Sequence, residues 1–277
     1  MPKYEDFVGA QEKHGDDYFD GSEFALRDEL EATQYWHVHR RRVLLESLLS
    51  LELPKESRLL ELGCGIGTVA THLNAGGLQV DYADVFEAAL NIAMKRASER
   101  LGPEAEKRRF IRLDVTQPLP ISGYEGLLLF DVLEHLPNDK EVLGHLRDAL
   151  PQEGLLFLTV PAFPFLWSPW DEIEKHKRRY TKTSLVPLLE EAGFRVDHVT
   201  YFFFPLFFAA SAVKGLRSAR KLFGAPKKAQ DITELTEAKS SPMLNRVMLS
   251  VLSGERPLLK HLRLPMGTSL MAVARRR

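Results

Sequence analysis

Arg58-Leu-Leu-Glu-Leu-Gly-Cys-Gly-Ile-Gly67 decides the fold. Its first five residues read as a buried strand, Gly63, Gly65 and Gly67 as a sharp turn, and the residues to about Asn74 as a helix. Glycines at such a junction let the backbone turn and let a ligand approach without Cβ atoms in the way. Downstream the alternation repeats. Strands are expected at Leu78–Asp84, Arg109–Leu113, Gly126–Asp131, Gly154–Val160 and Phe194–Phe204. Helices are expected at Ala88–Leu101, Lys140–Leu150 and Thr181–Ala192, the last capped by Thr181 and stopped by Gly193. Continuous apolar strands separated by helices predict an α/β fold with a mostly parallel sheet covered on both faces.

The flanks differ in texture. The first 20 or so residues are polar and only partly ordered by expectation, and a helical pattern begins near Ser22. A stronger helix runs from about Trp36 to Leu51, with Val43, Leu44, Leu48 and Leu49 on one face and Arg40–Arg42 near its start. Toward the other end, Phe202–Val213 is apolar apart from Pro205. It leads into Lys214, Arg217, Arg220, Lys221, Lys227 and Lys228, with no acid before Asp231. A helix at Met243–Leu252 and a last strand at Thr268–Ala274 follow. The division expected is an N-terminal helical extension (1–53), a core domain (54–204 plus 264–277) and a helical insertion (205–263).

Composition narrows the function classes. A formal charge of −1 over 277 residues excludes a chain that binds nucleic acid by bulk electrostatics. With 44% hydrophobic and 27% charged residues the composition is globular rather than disordered. Cys64 is the single cysteine, so neither an internal disulfide nor a cysteine-built zinc site is open to the chain. The polar start lacks the apolar segment of a signal peptide, and no apolar run reaches the roughly 20 residues of a spanning helix. A cytoplasmic protein is expected, with 202–228 as a contact to the inner face of a membrane if that segment is interfacial.

Acids cluster where the predicted strands end. Glu61, two residues before the first glycine, would repel a pyrophosphate but suits a cationic amino-acid ligand. Asp84 closes the second strand of the core and is placed for a ribose diol; Asp114 closes the third and can accept from an adenine amine. Asp131-Val-Leu-Glu-His135 follows the fourth. Ligands of open α/β sheets bind at these carboxyl ends. Gly65-x-Gly67-x-x-Ala70 also satisfies a relaxed dinucleotide fingerprint, which leaves a nicotinamide-dependent oxidoreductase as an alternative.

Glu-Leu-Gly-Cys-Gly-Ile-Gly67, Asp84, Leu-Asp114-Val and Phe-Asp131-Val-Leu-Glu-His-Leu together resemble class I S-adenosylmethionine-dependent methyltransferases, in the small-molecule branch that includes the type 11 and type 12 domains. The likeness extends through Val160-Pro-Ala-Phe-Pro-Phe-Leu-Trp-Ser168 and His176-Lys-Arg-Arg-Tyr-Thr181, and includes Tyr35–Arg42 and Leu264–Ala274. It implies a Rossmann-like sheet of seven strands whose last is antiparallel. It also implies that Glu61 and Gly63, Gly65 and Gly67 hold the methionine part of S-adenosyl-L-methionine, that Asp84 takes the ribose, and that Asp114 and Val115 read the adenine. Phe130 and Asp131 would lie beside the methionine amine and the methyl. A further alternative is a scaffold that binds this cofactor without turnover.

Methyl transfer from a sulfonium asks the protein mainly to align the reactants and exclude water. No metal is expected. A hydroxyl acceptor needs a base within hydrogen-bond reach, and imidazole suits neutral pH. His135 and His176 are the candidates, with Arg179 and Tyr180 as acceptor contacts. The acceptor is expected to be a small or lipid-linked molecule, and the insertion a lid over it.

Overall fold

The computed structural model describes residues 4–8, 28, 30–222 and 241–277, with residues 216–222 as backbone alone. Eight strands form one sheet: β1 (Glu5–Asp6), β2 (Arg58–Leu62), β3 (Gln79–Asp84), β4 (Phe110–Arg112), β5 (Gly126–Phe130), β6 (Leu155–Pro161), β7 (Phe194–Phe202) and β8 (Ser269–Arg276). Their order is β1-β4-β3-β2-β5-β6-β8-β7, and only β8 runs antiparallel to its neighbours. Among the described residues, the α-helices with defined bounds are α1 (Tyr35–Leu49), α2 (Thr68–Ala75), α3 (Glu87–Leu101), α4 (Asp139–Ala149), α5 (Pro169–Ile173), α6 (Lys182–Glu191), α7 (Phe204–Leu222), α8 (Pro242–Ser253) and α9 (Glu255–His261).

The expected Rossmann-like sheet is present, with one strand more than the seven expected. The addition is β1, drawn from the polar N-terminal stretch. It pairs with β4 through backbone alone and is held by Arg109–Glu5 and Arg112–Asp6 ion pairs at 2.7 and 3.2 Å. The central strands are apolar throughout because both faces are covered: every residue of β5 and β6 is buried. Two cores result. One packs α4 and α6 against the sheet through Leu143, Leu146, Leu185 and Leu189; the other packs α1, α2 and α3 through Leu44, Leu48, Leu73 and Leu90. Thr181 caps α6 as expected, accepting from Ser184 N, and Gly193 follows at φ +95°.

The apolar run from Phe202 to Val213 is two things. Phe202 ends β7 and Phe203 is buried with φ +61°, so the run begins in the core. Pro205 then sits in the first turn of α7, where a missing N–H costs nothing, and does not interrupt it. Glu255, at the start of α9, is buried and accepts from Phe203 N at 3.0 Å, Phe204 N at 2.6 Å and His39 Nε2 at 2.9 Å. One carboxylate thus satisfies two amides where α7 begins and ties α7 and α9 to α1. Asn245 of α8 adds two bonds to the start of α1, accepting from Tyr35 N at 2.5 Å and donating to Thr33 O at 2.7 Å. No helix among the described residues is long and apolar enough to cross a membrane.

Candidate functional site

The parallel strands bring their carboxyl ends to one edge, and the loops there carry nearly all the polar residues singled out from the sequence. Gly63, Gly65 and Gly67 all have positive φ, at +68°, +53° and +73°. At Gly63 an added Cβ would strike Val132 at 2.5 Å, whereas at Gly65 nothing lies within 4 Å of that position. The loop therefore folds tightly against the β5 loop at one glycine and leaves open space at the next. Asp84 is buried beside it, accepting from Gly65 N at 2.7 Å and Phe86 N at 2.9 Å, and burial raises its pKa. Asp114 Oδ1 accepts from Thr116 N at 2.8 Å just after β4, and Val115 is buried beside it.

Glu61 is buried in β2 between Tyr82 and Leu128. Its Oε2 has no hydrogen-bond partner, and burial pushes its pKa up to about 8 against the lowering influence of Arg40. Arg40, from the arginine run near the start of α1, is turned inward. Its guanidinium lies 2.5 Å from Asp131 Oδ2 and over the Trp36 ring at 5.3 Å. Asp131 has φ +54°, a left-handed conformation that costs a non-glycine residue about 1–2 kcal/mol. Phe130 before it is buried, edge-on to Phe157. Cys64 is buried, and burial drives its thiol pKa well up, so it is a packed residue and not a nucleophile.

Beyond Asp131 the chain makes a single turn, Leu133–His135, and the segment after β6 folds back onto it. Lys177 N donates to Glu134 O at 2.8 Å, joining the two loops. This brings the His135 and His176 rings together edge to face, centroids 4.8 Å apart. His176 Nδ1 is 2.9 Å from Asp171 Oδ1. Asp171 is fully buried in α5 and also accepts from Ser168 N and Oγ, Arg179 Nε at 2.7 Å and an Arg179 terminal nitrogen at 2.9 Å. Burial opposes its ionisation, but the bonds from His176 and Arg179 outweigh it and hold the carboxyl well below the usual range. Arg179 and Tyr180 make their polar contacts within the chain. Arg179 spends its third bond on Ala162 O, and the buried Tyr180 donates to Asp139 Oδ2 at 2.9 Å.

Glu134 was not singled out from the sequence. It is fully buried, neither carboxylate oxygen has a hydrogen-bond partner, and burial followed by the nearby Asp131 raises its pKa well above the carboxylate range. Its position in Asp131-Val-Leu-Glu-His135 looks like an ordinary acid at a helix start. Only the inward turn of residues 133–135, which buries it completely, makes it unusual.

On the far side, α7 packs against the loop after β6. Phe207 lies 5.3 Å from Phe163, which stacks on Tyr201, and Lys214 Nζ donates to Trp167 O at 2.6 Å. Phe208 and Val213 are exposed. The side chains of Arg217, Arg220 and Lys221, and the positions of Lys227, Lys228 and Asp231, lie outside the described residues.

A family model described as "Methyltransferase domain" matches residues 35–199. The chain is 31% identical over 106 residues to an S-adenosyl-L-methionine-dependent Diels-Alderase of Talaromyces variabilis, a match covering 36% of this chain and 35% of that protein. It is 23% identical over 101 residues to a ubiquinone biosynthesis O-methyltransferase of Rickettsia bellii, covering 36% and 40%. The chain thus spans less than half the length of these relatives. Among solved structures, magnesium protoporphyrin IX methyltransferase from Synechocystis with bound SAH shares the fold. Its TM-score is 0.54 at 18% identity, covering 66% of this chain and 89% of that one.

Proposed function

The chain belongs to the methyltransferase-domain family, and from that premise we propose that it moves the methyl group of S-adenosyl-L-methionine to a small or lipid-linked molecule, at oxygen, by in-line displacement. The observation that carries this reading is the cradle at the carboxyl edge. A Cβ at Gly65 would project into open space, the buried Glu61 Oε2 lacks a partner, and Asp84 sits beneath the loop. A buried, unpartnered carboxylate beside a glycine loop suits a cationic amino-acid group and opposes a pyrophosphate. When bound, the cofactor supplies a methyl on a sulfonium, whose leaving group is a neutral thioether.

The chain's own residues then have definite tasks. Glu61 and Gly63–Gly67 hold the methionine part, Asp84 the ribose hydroxyls, and Asp114 with Val115 the adenine. The Phe130–Asp131 backbone borders the methyl, with Asp131 fixed by Arg40. The His135–His176 pair disposes of the acceptor proton, and Asp171 orients His176. Arg179 and Tyr180 are positioning residues in this scheme, since their polar groups are already bonded inside the chain. Helix α7 covers the acceptor and keeps water out, with Phe163 and Phe207 as its apolar contact.

Calorimetric titration with S-adenosylhomocysteine and, separately, with NAD tests the cofactor. Binding of the former and not the latter is expected, and the reverse would return the nicotinamide alternative. Extracts of metabolites and lipids incubated with methyl-labelled donor then test transfer. Binding without label in any extract fraction would favour the scaffold.

A further inference from the structure

Glu134 poses a problem that the methyl-transfer reading leaves unsolved: a fully buried carboxylate with no hydrogen bond at either oxygen costs stability unless something binds it. Its Oε1 lies 3.9 Å from His176 Nε2. Among the described residues, Glu134, His135 and His176 each present a ligand atom, all within 4.8 Å of one another. Donors on a tetrahedral zinc-like ion at about 2.1 Å stand roughly 3.4 Å apart, so about an ångström of side-chain adjustment closes the set.

The surroundings have the form that metal-binding imidazoles require. The Nδ1 of His176 is engaged by Asp171 at 2.9 Å, which turns Nε2 toward Glu134. Asp171 is itself locked by Arg179 through both oxygens and by Ser168. A carboxylate behind the imidazole fixes tautomer and ring orientation and raises ligand basicity. Two imidazoles and one carboxylate select a borderline transition cation over magnesium or calcium, which prefer oxygen donors.

We propose that Glu134, His135 and His176 bind one divalent transition-metal ion of the zinc class, with Asp171 as the residue that orients His176. The remaining positions on the ion would take water or an acceptor oxygen. The proposal deepens the methyltransferase reading only in that last respect, and there the ion takes the place of imidazole as the base: an acceptor hydroxyl bound to it gives up its proton to solvent more readily than a free one. Metal binding itself stands on Glu134 and the two histidines alone.

The test uses the full chain, without a polyhistidine tag, stripped with chelator and dialysed. Zn2+ alone is titrated by calorimetry, and Co2+ alone is followed by its visible absorption. The expected result is one ion per chain, with an intensified cobalt spectrum of low coordination number. Glu134→Gln and His176→Ala should weaken binding at least tenfold, and Asp171→Asn by about tenfold or more. Each variant is checked by S-adenosylhomocysteine binding, which folded protein retains. His135→Asn serves as a second ligand variant should His176→Ala fail that check. Absence of a stoichiometric site in the parent chain overturns the proposal. So does a site that Glu134→Gln leaves at full affinity. Loss of S-adenosylhomocysteine binding in the parent chain would instead count against the methyltransferase reading, so the two failures are distinguishable.

Discussion

Asp81 in the sheet and Glu134 in the turn after β5 are both buried acids, and they live in opposite ways. Asp81 lies toward the amino-terminal ends of the strands and accepts from Arg58 at 2.8 Å, Arg109 N at 2.9 Å and Tyr124 OH at 2.9 Å. Glu134 lies beyond the carboxyl ends, and its side-chain oxygens accept nothing. Glu255 sides with the first, holding three donors, and Glu61 with the second, with one oxygen unpartnered. A satisfied buried acid stabilises the fold, whereas an unsatisfied one weakens it and persists where a ligand completes it. The carboxyl edge holds both kinds, since Glu255 and Asp171 are satisfied there while Glu61 and Glu134 are not.

The largest effect expected from this contrast falls on the satisfied group. Asp81→Ala should cost about 3 kcal/mol in urea unfolding, because it strands Tyr124 OH and Arg109 N–H in the interior. A loss below roughly 1 kcal/mol would mean that the Asp81 bonds carry little net stability.

On the other side of the comparison, at least one of His135→Ala and His176→Ala should lower turnover about 10²-fold while S-adenosylhomocysteine affinity holds. Both variants turning over at the parent rate would remove the pair from the handling of the acceptor proton. Asp84→Ala should weaken S-adenosylhomocysteine binding by about 1–3 kcal/mol, by loss of a charged acceptor and of the anchor on Gly65 N. Unchanged affinity in a folded variant would free that position from the ribose role.

Glu61 gives the contrast a pH axis. Its pKa rises on folding from an ordinary 4.5 to about 8, so the folded chain keeps a proton that the unfolded chain releases. Its contribution to stability therefore declines as pH climbs from about 4.5 and levels off above about 8, at less than 1.4 kcal/mol per pH unit. Thermal melts from pH 6 to 9 should show a shallower decline in Glu61→Gln than in the parent chain. Parallel curves would place the slope elsewhere. The smallest effect belongs to Glu134→Gln, which should leave stability equal or raise it by up to about 1 kcal/mol, since Gln is neutral folded and unfolded whereas burial forces Glu134 to give up its charge. Destabilisation of the size seen with Asp81→Ala would show that Glu134 is structurally satisfied after all.

Reading these differences from sequence succeeds where burial is continuous and fails where it is local. Leu59–Leu62, Leu127–Phe130 and Leu155–Val160 announce central parallel strands because nothing but an apolar face surrounds them. The glycine loop and Asp84 declare themselves by position at a strand end. Glu5 and Asp6 announce nothing, since β1 is specified by backbone pairing and by arginines more than a hundred residues away. Asp81 and Glu134 both read in the sequence as ordinary acids. What separates them is whether Arg58 of β2 and Tyr124 ahead of β5 arrive beside the acid, or whether a turn of three residues faces inward. Arg40 likewise reads as a surface charge until α1 is docked over Asp131.

Helix α1 and the insertion also set a rule for recombining this chain with relatives. His39 is buried against Glu255, Trp36 stacks on Phe203, and Glu46 meets Arg256. A foreign segment 205–263 lacking a carboxylate at 255 and a cation at 256, placed on this N-terminus, would leave His39 without its acid and Glu46 without its arginine. The natural unit of exchange is discontinuous: α1 and the segment from α7 to α9 travel together, although more than 150 residues separate them along the chain.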